Sequence, residues 1–109
     1  MPVNKDKLHQ PIVRAAIEAL EDGDLHTWLN LFAADAQLFD DGRKIDFNAF
    51  SRNAVGREKF THIDKVENDG WDVYGQFHSD QWGDFKTYFR FHANAEGKIE
   101  RLEIGQANY

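Results

Sequence analysis

Few residues in this chain of 109 have the types that do covalent chemistry. There is no cysteine, which rules out a thiolate nucleophile, a disulfide and a thiolate metal site. Serine occurs only at Ser51 and Ser79, and no Gly-x-Ser-x-Gly is present, so a Ser-His-Asp hydrolase is not expected. The five histidines, His9, His26, His62, His78 and His92, are scattered. None forms the His-x-x-x-His spacing of a helical metal site. His78 and His92 could meet across strands, but a third ligand is lacking, and no metal is expected. What remains is carboxylate. Asp40 stands out by its place, at the end of an alternating stretch and the start of Asp40-Asp41-Gly42. On its own that is ordinary turn chemistry, in which an Asp side chain bonds nearby backbone.

The balance of charge excludes further classes. Formal net charge is −6, and the short basic clusters at Arg43-Lys44 and Arg57-Glu58-Lys59 are flanked or broken by acids. A nucleic-acid surface needs a basic patch, so nucleic acid is not an expected partner. No dinucleotide or phosphate-loop glycine motif occurs, and no cofactor is expected. No apolar run approaches the ~20 residues of a membrane span. No signal peptide is visible, and a cytoplasmic location is the expectation. Hydrophobic residues make up 41% of the chain and aromatics 14%, enough for a packed core.

The elements that must position these groups are legible from periodicity. Leu8, Ile12, Ala16 and Leu20, with Val13 and Ile17 beside them, form one helical stripe over about 7–22. Pro11 places the start of the regular helix near itself. Gly23 suits the helix end, and Asp24 the cap of a second helix carrying Leu25, Trp28, Leu29 and Phe32. Alternation from Ala36 to Asp40 then predicts a strand. Asp46 predicts the cap of a third helix, with Phe47 and Phe50 on one side and Gly56 as its stop. Four strands follow, over about 58–67, 71–79, 85–93 and 98–106. Their turns fall at Asn68-Asp69-Gly70, at Asp80 to Gly83 and at Asn94 to Gly97. In the first of these strands facing is ambiguous, because Phe60 and Val66 share one parity and Ile63 has the other. Phe85, Thr87, Phe89 and Phe91 share a face, and Lys86, Tyr88, Arg90 and His92 share the opposite one. Helices first and hairpin-linked strands later predict an α+β domain with an antiparallel sheet covered by helices on one face.

Three segments carry a resemblance. They are Ala19-Leu20-Glu21-Asp22-Gly23-Asp24-Leu25, Leu31-Phe32-Ala33-Ala34-Asp35-Ala36 and Gly97-Lys98-Ile99. In this order and spacing the chain resembles the nuclear transport factor 2-like superfamily, in its SnoaL-like and ketosteroid-isomerase-like branch. The resemblance covers nearly all of residues 1–109 as one SnoaL-like domain. It implies a cone-shaped, strongly curved sheet (nuclear transport factor 2-like or cystatin-like) with three N-terminal helices on its concave face, a pocket inside, and a homodimer through the outer sheet face. This fold hosts many activities, so it implies no single one.

Set on that frame, Asp40 matches the position at which ketosteroid isomerases place their proton-shuttling aspartate. A carboxylate in an apolar cavity can hold a raised pKa and move a proton between carbons. The same resemblance puts the two oxyanion donors at Ala16 and Phe89, which cannot donate, so a true ketosteroid isomerase is not expected. Trp28, Phe47, Phe50, Phe77, Phe89 and Ile104 are the expected pocket wall, with Gln106 in phase with Leu102 and Ile104 as its polar contact. The alternative is that these rings simply fill a core. Tyr74, His78, Tyr88, Arg90 and His92 are the expected dimer face. The leading expectation is a pocket for a hydrophobic small molecule. The alternatives are an isomerase, cyclase or dehydratase using Asp40 as general acid–base, and an interaction module with a filled interior.

Overall fold

The structure is a computed structural model and describes residues 5–109. Helix α1 spans Pro11–Asp22, with Pro11 in its first turn, where a missing N–H costs nothing. It buries Val13, Ala16, Ile17, Ala19 and Leu20. Gly23 ends it at φ 74°, a left-handed conformation suited to glycine. Asp24 then caps α2 (Leu25–Leu31), accepting the Thr27 N–H at 3.1 Å. Phe32, expected on that helix, instead opens strand β1 (Phe32–Asp40). After the Asp41-Gly42 turn comes β2 (Arg43–Ile45), a short strand that the alternation did not reveal. Asp46 caps α3 (Phe47–Ala54) by accepting the N–H groups of Asn48 and Ala49. The remaining strands are β3 (Glu58–Glu67), β4 (Asp72–Ser79), β5 (Gly83–Ala93) and β6 (Ile99–Gln106).

These form one six-stranded curved sheet in the order β2-β1-β6-β5-β4-β3. The antiparallel expectation needs one amendment. Strand β1 pairs with β6 in parallel, with Leu38 opposite Leu102 and Asp40 opposite Ile104, so the sheet is mixed. The reason is topological: β6 returns beside β1 only after the long excursion through α3 and three strands, which frees it to run the same way. The other pairings are antiparallel.

One face of the sheet is apolar. Val73 and Phe77 of β4, Phe89 and Phe91 of β5, and Leu102 of β6 are at most 3% exposed. Helices α1 and α2 fill one end of this concavity, with Trp28 at 0% exposure in the middle. Rings pack on one another at 4.6–6.1 Å between centroids, including Trp28 on Phe32 and Phe60 on both Phe77 and Phe89. Among the described residues, no helix is long and apolar enough to cross a membrane.

Candidate functional site

At the other end of the concave face the helices do not fill the space. There α3 stands off the sheet and leaves a cavity of about 650 Å³. That lies within the range of small-molecule sites. Its wall is Phe77 of β4, Phe85 and Phe89 of β5, Ile104 of β6 and Phe50 of α3. Two turns form its mouth. The β1–β2 turn supplies Asp40 and Asp41, and the β4–β5 turn supplies Gln81 and Trp82, the latter 72% exposed. Thr87 lies in the floor, its hydroxyl donating to the Gly105 carbonyl at 2.6 Å.

Five acidic residues, Asp40, Asp41, Asp46, Glu58 and Asp84, contribute to the lining, and no Lys, Arg or His does. The carboxylate of Asp84 turns to His78 on the outer face, and that of Asp41 lies over Gly105 beside Tyr88. Four of the five already have partners. Asp46 caps α3. Asp41 accepts the Gln106 N–H at 3.2 Å. Glu58 accepts the Ser79 hydroxyl at 3.0 Å, and Asp84 holds His78 at 2.7 Å. The half-buried Asp40 lines the cavity with no hydrogen-bond partner among the described residues. Burial raises its pKa above the usual carboxylate range, the neighbouring Asp41 adds to the rise, and Arg43 opposes it. Burial also raises Glu58, with Asp40 and Asp80 adding and the Ser79 hydrogen bond opposing. Two carboxyl groups with raised pKa thus share one cavity, an arrangement suited to proton transfer or to gripping a polar head group.

The structure brings together Asp40, Phe50, Phe77, Phe89, Ile104 and Gln106 of the expected site. It separates two residues from them. Trp28 lies in the core, its indole N–H donating to the Ser51 hydroxyl at 2.9 Å. Phe47 stacks on Phe32 at 4.6 Å and lines a shallow groove on the far side of α3. Both are consumed by packing α2 and α3 together. Sequence reasoning passed over Glu58, Thr87, Trp82 and Asp84. The in-phase run Phe85, Thr87, Phe89 pointed to Thr87. Glu58 had no sequence signal: between Arg57 and Lys59 it read only as the acid interrupting a short basic cluster.

The outer face is knit internally. The Arg90 guanidinium lies 4.4 Å from the Tyr88 ring centre and donates to the Tyr74 hydroxyl at 3.5 Å. His78 sits between Asp80 and Asp84, and these contacts raise its pKa. His92 contacts Glu103 at 2.9 Å. His78 pairs with Asp84 near the start of β5, whereas His92 lies toward the end of β5 opposite Arg101 of β6, so the two do not meet. Among the described residues, no three His, Asp or Glu side chains converge as a metal site.

No family model matches the chain, and no curated protein matches it in sequence. Solved structures do match. A nuclear transport factor 2-like protein of unknown function from Cytophaga hutchinsonii superposes with TM-score 0.71 at 12% identity, covering 98% of this chain and 93% of that one. A candidate polyketide cyclase from Xanthomonas campestris gives 0.64 at 18% identity, covering 88% and 87%. The orange carotenoid protein of Anabaena (Nostoc) sp. PCC 7120, solved binding canthaxanthin, gives 0.68 at 21% identity. The match covers 86% of this chain and 34% of the carotenoid protein, so the chain spans about a third of that relative's length. With three helices set against one mixed, curved six-stranded sheet, the chain has the nuclear transport factor 2-like, cystatin-like fold.

Proposed function

We propose that the chain is a single SnoaL-like pocket domain that binds a largely hydrophobic small molecule in the cavity between α3 and the sheet. The observation that carries this reading is the cavity itself: about 650 Å³, walled by Phe50, Phe77, Phe85, Phe89 and Ile104, with Asp40, which has no hydrogen-bond partner among the described residues, in its lining. An interior of this size disfavours the reading as a module with a filled core. Fold neighbours that include a canthaxanthin-binding protein and candidate polyketide cyclases support a ligand-binding or cyclase-type role. Their identity to this chain is too low to transfer a ligand.

The second reading is catalytic: Asp40 as general acid–base in an isomerisation, cyclisation or dehydration. Its cavity position and raised pKa favour it. Ala16 is fully buried, and Phe89 offers no donor, so the oxyanion donors of a ketosteroid isomerase are missing. The homodimer through Tyr74, His78, Tyr88, Arg90 and His92 also stands as a proposal, supported by the Tyr and Arg content of that face.

Thermal melting against steroids, polyketide-like aromatics, phenols and fatty acids tests the pocket. A ligand at ~100 times its Kd adds about 2.7 kcal/mol, a rise of roughly 10 °C or more for a domain of this size. A concentration-dependent rise with one class supports the pocket. Absence of any rise moves the reading to an interaction role.

A further inference from the structure

The cavity's charge narrows what it can hold. We propose that its ligand is an amphipathic cation: a protonated or quaternary amine on an aromatic or alicyclic body, the amine at the Asp40 end and the body against Phe77, Phe85 and Phe89. This rests on the pocket reading above. The cavity and its aromatic wall make the site; the carboxylates decide only the sign of what enters it.

Three observations carry the proposal. The lining residues include five acids, of which Asp40 and Glu58 are raised by burial, and no basic side chain, so a buried anionic head group would find no counter-ion there. The nearby cations are not available to such a head group: His78 is already held by Asp80 and Asp84, and Arg43 lies outside the lining, acting on Asp40. Four of the carboxylates are tied to the protein's own hydrogen bonds, whereas Asp40 has none among the described residues and is free to accept one from an ammonium group. The same cavity is lined by Phe50, Phe85 and the exposed Trp82, aromatic rings whose faces attract cations.

The test uses three probes with one naphthyl body, 2-naphthylmethylamine, 2-naphthylmethanol and 2-naphthoate, titrated into the full chain at pH 7 and low salt. Calorimetry reads affinity, and amide chemical shifts read location. The amine should bind about tenfold tighter than the alcohol, and the carboxylate most weakly. The amine's advantage should shrink as salt rises. Asp40→Asn should remove most of the amine's advantage over the alcohol. Equal binding by all three, or tightest binding by the carboxylate, overturns the charge assignment and leaves the pocket standing. An amine preference that survives in Asp40→Asn, with shifts on the outer face, also overturns it, since the net negative charge alone then explains it. Failure of all three at millimolar concentration overturns the pocket reading and this proposal with it.

Discussion

The Asp41 carboxylate folds back over Gly105 and accepts the Gln106 N–H at 3.2 Å, while the Asp41 N–H donates to Ile104 at 2.9 Å. These bonds pin the β1–β2 turn onto the last strand and fix Asp40 at the cavity mouth. The Asp41 carboxylate thus bonds across to the last strand, 65 residues away in sequence, and not to backbone of its own turn as foreseen at Asp40-Asp41-Gly42.

Gly105 is what permits that approach. A Cβ there would run into the Asp41 carboxylate and lie 2.7 Å from the Tyr88 hydroxyl. Gly105→Ala should cost about 1–3 kcal/mol in urea unfolding. It should also release the turn, seen as loss of protection of the Gln106 amide in hydrogen exchange. An unchanged midpoint with retained protection would show that the turn is held by other contacts.

Ser51 should matter for stability and not for ligands. Its hydroxyl accepts from the Trp28 indole at 2.9 Å and donates to the Phe47 carbonyl at 2.8 Å. Ser51→Ala strands a buried N–H and should cost about 1–3 kcal/mol. Because neither Ser51 nor Trp28 lines the cavity, the affinity of any cavity ligand should stay within about twofold. Loss of binding by a variant that still melts cooperatively would put Trp28 back in the site.

The helices and their caps were legible because they are local: Pro11, Gly23, Asp24 and Asp46 each act within a few residues of themselves. The facing of β3 was not. Its ladder with β4 shifts register between Phe60 and His62 and again between Ile63 and Lys65. Those irregularities let Phe60 and Ile63, of opposite parity, both be buried. The partner that accommodates them is Gly75, where a Cβ would strike the His62 carbonyl. That relationship spans two strands and leaves no mark in either alone. For the same reason Phe47 and Trp28 could not be told from pocket residues: both are aromatic and on the right elements, and only helix packing decides which space they fill.

Ser79 orients the second cavity carboxyl. At 1% exposure, its hydroxyl donates to Glu58 at 3.0 Å and accepts the N–H groups of Gln81 and Trp82 at 3.2 Å. Ser79→Ala should cost about 1–3 kcal/mol and loosen the Trp82 turn at the mouth. Since the Ser79 bond holds the Glu58 pKa down, its loss should raise that pKa further. A carboxyl ¹³C titration of Glu58 reads this directly. An unmoved Glu58 pKa would mean that the bond is not formed in solution.

The pH dependence of stability should show Asp40 at work. A carboxyl whose pKa is raised in the folded state holds its proton more tightly there than in the unfolded chain. The stability this confers is fully present below the unfolded pKa, about 4, and is lost as pH rises through the raised folded value. Asp40 and Glu58 both act in this direction, and Asp24, lowered by its Thr27 hydrogen bonds, acts in the opposite one. The informative quantity is therefore the difference between Asp40→Asn and the parent, measured by thermal melts in steps from pH 3 to pH 8. The two should coincide in slope at the acid end. Above pH 4 the parent should lose stability relative to the variant, so Asp40→Asn melts higher at neutral pH. Part of that gain reaches Glu58, because Asp40 is one of the charges raising it. Parallel curves at every pH would make Asp40 a solvated turn carboxylate, and would remove the ground for assigning it either proton transfer or the grip on a ligand.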